Sequence, residues 1–281
     1  MQAAISALHH SPLVRVLDFK CQCGRDPRRA SEQTQKFTIS FTRRGSFGYH
    51  IGRRNYEVHS GIVLLEKAGC EYAISHPSTI NDECTIFELG EDVLHDLQPE
   101  AGRGEQYFFM ANVAPVAFLP TNSSLEYLHA ALVQAAQAPF ACSRFNFEEL
   151  FLALLRQINL QTQVSGRAPA FGKLKEHQRE AMDLAKHFIL ANFQRDLSLA
   201  EIARHSHVSV FHFSRLFKQF TSHSPYQFLR AVRLQRAALL LTHTALPVTQ
   251  ICFEAGFNSF EHFILSFTKQ FGLSPSKYRK R

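Results

Sequence analysis

Over the first hundred residues, apolar and polar positions alternate in short runs. The segments "FTISFT" (37–42), "SFGYHI" (46–51), "NYEVH" (55–59), "IVLLE" (62–66), "EYAIS" (71–75) and "CTIFEL" (84–89) are β-branched or aromatic and are separated by Gly, Pro, Asn and Asp. This pattern predicts six short strands, and their even spacing predicts a small barrel or a double-sheet jelly roll. The period then lengthens. Leu125, Leu128 and Leu132, and later Phe147, Leu150, Phe151, Leu154, Leu155 and Ile158, follow helical spacing, with a break at "APFACS" (138–143). A helix pair at 124–137 and 144–160 is expected, packed on the barrel or on a second copy of itself. The dense apolar face of the second helix makes a homodimer through the N-terminal half the expectation. The stretch "QTQVSGRAPAFGK" (161–173) is polar, small and Pro/Gly-containing. It places a boundary between a domain over 1–165, a linker over 166–176 and a helical domain over 177–281.

The last hundred residues read as helices. "QREAMDLAKHFILANF" (178–193) is amphipathic, and "SLAE" (198–201) has the form of a capping box joining Ser198 and Glu201. "SPYQFLRAVRLQRAALLL" (224–241) begins with a Ser cap and Pro225, then runs without a breaker. Within this half one phrase occurs twice, as "FHFSRLFKQF" (211–220) and "HFILSFTKQF" (262–271). Phe213, Phe217 and Phe220 in the first copy, and Phe263, Phe267 and Phe271 in the second, fall on one face of a helix, so they predict core. Aligned through Ile202 and Ile251, each copy is a short helix, a tight turn, a longer helix and a closing "SP", with one residue of slack placed inside the second helix. Gly256 stands at the second turn, where positive φ is needed, and His207 stands at the first turn at a steric cost. Two helices crossing on such a turn make a helix-turn-helix, whose second helix enters the DNA major groove.

The face opposite the phenylalanines is then the reading face. In the first copy it comprises Ser209, Val210, Phe211, Ser214, Arg215 and Lys218, which offer a guanidinium, hydroxyls and apolar atoms for base edges or phosphate. In the second copy it comprises Asn258, Ser259, Phe260, Glu261 and Ile264, beside Leu265, with little hydrogen-bonding capacity. Lys269 and the helix ends are expected to carry that contact. A stiff helix between the motifs would hold both recognition helices for successive major grooves, about 34 Å apart.

Composition sharpens this picture in four places. At 281 residues, with 45% apolar and 20% charged positions, the chain is long enough for two globular domains. No apolar run is long enough to span a bilayer and the N-terminus lacks a signal-peptide pattern, so a cytoplasmic protein is expected. Residues 171–281 hold 16 Lys+Arg against 7 Asp+Glu, net +9, and residues 1–170 hold 15 against 17, net −2. The positive charge is therefore concentrated on the helical half, as nucleic-acid binding requires. The six cysteines (Cys21, Cys23, Cys70, Cys84, Cys142 and Cys252) are too sparse for a disulfide framework. Cys21-x-Cys23 resembles half of a soft-metal or redox site, but reduced structural thiols are expected and neither a metal nor a cofactor is assigned.

The run from Leu197 to Arg281, above all "ICFEAGFNSFEHFILSFTKQFGLSPSKYR" (251–279), strongly resembles the DNA-binding domain of the AraC/XylS family of bacterial transcription regulators. "FTRRGSFGYH" (41–50) is similar, more loosely, to the cupin-like domains that many members carry. The resemblance implies a multidomain α+β fold, with an N-terminal cupin-like β-barrel and helix pair and a C-terminal all-α domain with two helix-turn-helix motifs. It implies a non-enzymatic regulator that reads double-stranded promoter or operator DNA, partners RNA polymerase and answers to a small effector in the barrel. Arg43, Tyr49, His50 and His76 are the candidate effector-binding residues, set with Arg44 among Phe41, Phe47, Tyr56, Tyr72 and Phe87. Two departures stand out: Leu265 lies where an arginine is usual, and His207 replaces a small turn residue. Two other classes remain open. One is a metal-dependent cupin-type enzyme using His50, His59 and His76, against which the absence of an H-x-H followed by a carboxylate counts. The other is a non-specific architectural DNA binder.

Overall fold

The computed structural model describes residues 2–91, 93, 108–109, 114–137, 146–164 and 174–280. The break at 138–143, with Cys142, and linker residues 166–173 lie outside the described residues. The chain divides into two compact units, one of Met1–Thr121, Leu132–Ala141 and Phe147–Glu176, the other of Asn122–Ala131, Cys142–Asn146 and His177–Arg281.

The first unit is built on ten strands: β1 (Ala3–His10), β2 (Val14–Cys21), β3 (Asp26–Gln33), β4 (Thr38–Arg44), β5 (Ser46–Ile51), β6 (Arg54–His59), β7 (Ile62–Glu66), β8 (Glu71–His76), β9 (Glu83–Leu89) and β10 (Val116–Pro120). They form a six-stranded antiparallel sheet, ordered β1-β2-β9-β4-β7-β10, and a four-stranded one, ordered β3-β8-β5-β6. All six expected strands are present. The fold class is α+β as expected, but in place of the cupin-like barrel the described strands make two open sheets, the double-sheet form of the same pattern. Of the four outermost strands, two have little to bury. β1 is small and largely exposed, and β3 is "DPRRASEQ", with Pro27 and arginines suited to an unpaired edge. For the same reason neither shows the alternation that announces a strand.

Both faces of the larger sheet are covered. Phe19, Leu64, Cys84 and Phe118 pack between the sheets with Phe47, Tyr49 and Val58 of the smaller one. On the other face, Phe87 stacks on Phe151 at 6.0 Å between ring centroids. Phe151 belongs to α2 (Phe147–Val164), which follows α1 (Ser123–Gln137). Being covered twice, β7 is buried at all of its positions, and its "IVLLE" reads as a continuous apolar run. Phe147, Leu150, Phe151, Leu154 and Ile158 are all buried within the chain, and Phe147 stacks on His9 at 3.7 Å. The apolar face that suggested a homodimer is thus core of this unit and offers nothing to a second copy.

The second unit begins with the N-terminal half of α1, capped by Asn122, whose Oδ1 accepts from the Ser124 and Leu125 amides at 3.0 and 2.9 Å. It continues through α3 (Glu176–Asn192), α4 (Leu199–His205), α5 (Val210–Thr221), α6 (Pro225–His243), α7 (Val248–Glu254), α8 (Phe260–Phe271) and α9 (Pro275–Tyr278). Within it Lys186 donates to Glu126 at 2.8 Å and lies 3.5 Å from Asp183, all three side chains being buried. Burial pulls the Lys186 ammonium down, but Glu126, then Asp183, outweigh it and raise its pKa. The ion pair is therefore fully formed at neutral pH.

The capping boxes fall differently from expectation. The Ser198 hydroxyl does accept from the Glu201 amide at 3.1 Å, but the Glu201 carboxylate turns to Arg195 at 2.6 Å. The complete reciprocal box belongs to Ser224 and Gln227, at the head of α6. That helix, 19 residues long, spans about 28 Å. Near its middle the buried Arg233 donates from Nε to the Phe193 carbonyl at 2.7 Å and from Nη2 to that of Arg195 at 2.9 Å. It thereby ties the exit of α3 to α6.

Two substitutions test this core. Gly256 has φ of 89°, and a Cβ there would stand 2.8 Å from the Phe193 carbonyl oxygen and 2.9 Å from Gln194 Cα, both backbone. Gly256→Ala should therefore cost at least about 2 kcal/mol in urea unfolding, from strain and clash together. A loss under 0.5 kcal/mol, on the order of an ordinary surface change, would contradict that assignment. Lys186→Met leaves Glu126 and Asp183 buried without their cation and should cost about 3–5 kcal/mol near neutral pH. Because the folded-state pKa of Lys186 is raised, its contribution is complete below the ordinary value of 10.5 and lost as pH rises through the higher folded value. On the alkaline side, the gap between wild type and variant should accordingly narrow only in strong alkali.

Candidate nucleic-acid interface

The two copies of the repeated phrase superpose in their bonding. In the first, α4 and α5 flank a turn in which His207 has φ of 56° and the Val208 amide donates to the Ala203 carbonyl at 3.1 Å. In the second, α7 and α8 flank a turn in which Gly256 has φ of 89° and the Phe257 amide donates to the Cys252 carbonyl at 3.1 Å. Val208 therefore corresponds to Phe257, and Ser209 and Ser259 are the N-caps of the longer helices. The additional residue is thus Asn258, in the turn, and not inside the second helix as the phenylalanine spacing suggested. Side-chain periodicity shows that a residue is extra, but only the backbone bonds show where.

Each recognition helix ends and packs alike. Ser222 and Gly272, with φ of 63° and 72°, close α5 and α8 in the left-handed conformation. The "SP" that follows opens a helix whose fourth residue places an aromatic ring edge-on against the recognition helix. Phe228 meets Phe217 at 5.5 Å, and Tyr278 meets Phe267 at 5.3 Å. Phe213, Phe217, Phe220, Phe263 and Phe267 are buried, whereas Phe271 is half-buried against Tyr278. The bland half of the repeat is core, and its other half faces out.

On α5 that outer face holds Val210, Phe211, Arg215 and Lys218, all exposed, with Ser214 half-buried between turns. Phe211 is 96% exposed, a position that no internal packing explains. The Ser209 hydroxyl makes no capping bond. Exposed His212 and Gln219 share the surface and escaped the periodic reading because they lie at its margins. On α8 the exposed positions are Phe260, Glu261, His262, Leu265, Thr268, Lys269 and Gln270, with Ile264 half-buried. Leu265, in the place of Arg215, is 71% exposed. Ser259 is engaged as a cap, accepting from the His262 amide at 3.2 Å. Asn258 donates to both carboxylate oxygens of Asp196, at 2.9 and 3.1 Å. In this arrangement Asn258 braces the second turn, and Gln194 adds a bond to the Glu254 carbonyl at 2.9 Å.

The four candidate effector residues are not brought together around one cavity. Tyr49 is wholly buried between the sheets, where it donates to Glu66 at 3.0 Å and stacks on Tyr72 at 4.8 Å. Burial pushes the Tyr49 hydroxyl and the Glu66 carboxyl upward. Arg43 is ion-paired with Asp18 and reaches the Cys84 carbonyl at 3.3 Å. His50 bonds Asn55 and Ser75, each at 2.8 Å, and alone of the four lines an open cleft of about 520 Å³ with Glu32, Glu71 and Tyr72. His76 is buried and bonded to Asp82 at 2.8 Å, next to Cys21.

Comparison with known proteins bears on the helical unit. A family model described as a helix-turn-helix domain matches residues 182–281. An uncharacterized HTH-type transcriptional regulator of Haemophilus influenzae is 33% identical over 174 residues, covering 58% of this chain and 58% of that protein. The right origin-binding protein of Escherichia coli is 35% identical over 89 residues, 32% of this chain and 31% of that protein. The chain thus spans little more than half the length of one relative and about a third of the other. Among solved structures, ToxT from Vibrio cholerae is 12% identical over 95% of this chain and 98% of its own, with a TM-score of 0.40. At that score the likeness assigns nothing to this chain. The doubled helix-turn-helix, its exposed reading faces and the family match agree, and residues 182–281 are a helix-turn-helix domain of the AraC type.

Proposed function

We propose that the chain is a sequence-specific, DNA-binding transcription regulator of the AraC family, and that α5 and α8 enter successive major grooves of one promoter or operator. The observation that carries this reading is the exposure of Phe211, Arg215 and Lys218 on a helix whose opposite face is wholly buried. Burial fixes the helix, and exposure leaves its side chains to an outside partner. The two helices are unequal readers. Arg215 can reach guanine or phosphate and Phe211 can cover a thymine methyl, whereas Leu265 and Glu261 offer α8 little beyond apolar contact and Lys269 a phosphate. Specificity then resides mainly in α5, and α8 mainly positions.

The net +9 of residues 171–281 supplies the salt-dependent attraction that any such protein needs. RNA polymerase is the partner through which a regulator of this kind acts, and the His50–Tyr72 cleft is where the β unit would take a small effector. No described helix is long and apolar enough to cross a membrane. Enzymatic activity is not part of the reading, since the named relatives are regulators and an origin-binding protein.

Selection of operator sites from genomic DNA, followed by competition with random duplex at fixed salt, tests the proposal. Arg215→Ala should weaken the selected site by about 1–3 kcal/mol and random DNA far less. Equal losses on both would reduce Arg215 to a phosphate clamp, and equal affinity of the wild type for both would mark an architectural binder. Phe211→Ala should also weaken the selected site while changing unfolding free energy by less than about 0.5 kcal/mol. Phe217→Ala, on the buried face, should cost about 3–5 kcal/mol of stability.

A further inference from the structure

The two cysteines of Cys21-x-Cys23 supply half a metal site in the sequence, and the fold supplies the rest. Cys21 ends β2 in the larger sheet and His76 ends β8 in the smaller one, and the potential ligand atoms of Cys21, Cys23 and His76 all lie within 4.8 Å of one another. Cys21 Sγ is 3.7 Å from Nδ1 and 3.9 Å from Nε2 of His76. Ligands around a tetrahedral zinc, at about 2.3 Å for sulfur and about 2.0 Å for nitrogen, stand about 3.5–3.8 Å apart. The sulfur–Nε2 separation is thus a few tenths of an ångström beyond that of a coordinated pair, a gap that a small side-chain rotation closes.

The surroundings are arranged as an outer shell would be. Asp82, 2% exposed, bonds His76 Nδ1 at 2.8 Å, which holds the proton on that nitrogen and leaves Nε2 as the ligand. The Cys23 amide donates to Cys21 Sγ at 3.4 Å, a bond that steadies a thiolate. The two ligand-bearing segments are clamped together by the Cys21 amide on the Asp82 carbonyl at 2.9 Å and the Gly24 amide on Asn81 Oδ1 at 3.0 Å. Cys23 is the half-buried member of the three, its Sγ donating to the Gln2 carbonyl at 3.2 Å, and so provides the entry side.

We propose that Cys21, Cys23 and His76 form a site for a thiophilic closed-shell metal ion, Zn²⁺ or Cu⁺, oriented by Asp82 and open at one further position. Two thiolates with one imidazole suit these ions and not the oxygen-seeking Mg²⁺ or Ca²⁺. On binding, each S–H bond is replaced by a sulfur–metal bond, the electron pair stays on sulfur, both protons pass to solvent and the ion keeps its oxidation state. Affinity therefore rises with pH. Burial holds the free Cys21 thiol up at about 12, so the ion must displace that proton.

The test uses the reduced, untagged full chain, titrated with Co²⁺ as an optical stand-in for Zn²⁺, with Zn²⁺ in competition, and separately with Cu⁺ under anaerobic conditions. One equivalent should bind with a thiolate-to-metal charge-transfer band, and the relative affinities distinguish the two ions. Cys23→Ser, at a half-buried position, and His76→Gln should each lower affinity at least tenfold. Asp82→Asn should lower it about 10–100-fold. Cys70→Ser, outside the cluster, should leave it unchanged. Circular dichroism of each variant separates loss of ligand from loss of fold. Failure of every ion to bind at one equivalent would overturn the proposal, as would binding that survives both Cys23→Ser and His76→Gln in folded protein.

Discussion

The helical unit depends on one buried guanidinium. Arg233 sits in the middle of α6 and donates to the carbonyls of Phe193 and Arg195 as the chain leaves α3. Burial opposes its charge and lowers its pKa, yet an arginine stays protonated under any ordinary condition, so it remains a donor. The segment it fixes, 193–196, is also the one against which the second turn closes. Gly256 lies on the Phe193 carbonyl and Gln194 Cα, Gln194 bonds Glu254, and Asp196 receives Asn258. α3, α6, α7 and α8 thereby meet at four residues of chain. Glycine is required at 256 for two independent reasons, its positive φ and the lack of room for a Cβ.

The same junction explains why the two motifs are alike in construction and unequal in surface. Their shared parts are those that bury area: the paired phenylalanines, the left-handed caps at Ser222 and Gly272, and the aromatic brought in four residues after each "SP" serine. The differences gather where the helices face outward, Arg215 against Leu265 and Phe211 against Glu261. Asn258 is the exception that belongs to the interior logic, since it lengthens the second turn and spends its amide on Asp196. The copies thus share most of their core and differ most where they face outward.

The β unit follows a different principle. Its larger sheet is covered on both faces, and two of the acids buried there are paired. Glu66 is held by Thr38 and Tyr49, and Asp82 by His76. The first is a buried polar knot between the sheets. The second opens toward Cys23 at the edge of the sheets, which turns a paired carboxylate into an orienting group for a metal ligand. Arg43, Tyr49 and His76, which sequence alone placed beside an effector, are committed to partners within the chain.

By itself the sequence determined whatever depends on local period and local chemistry. Strands β4 to β9, every helix of the DNA-reading half, the turn positions His207 and Gly256, and the buried phenylalanine faces all follow from spacing and backbone sterics, which act within a few residues. β1, β2, β3 and β10 were missed: β1, β3 and β10 are edge strands, which need not alternate, whereas β2 is an interior strand whose alternating Val14 and Val16, then Phe19 and Cys21, were passed over. The dimer face of α2 was misjudged because an apolar stripe looks the same whether it meets its own sheet or another chain. Only the tertiary structure decided that Asn258 is the inserted residue, that Ser224 and not Ser198 completes a capping box, and that His76 stands beside Cys21. The capping box and the turn bond that places the insertion are local, but Asn258 is braced by Asp196 62 residues away and His76 meets Cys21 55 residues away. Pairings at such separations are set by global packing, which a local pattern does not encode.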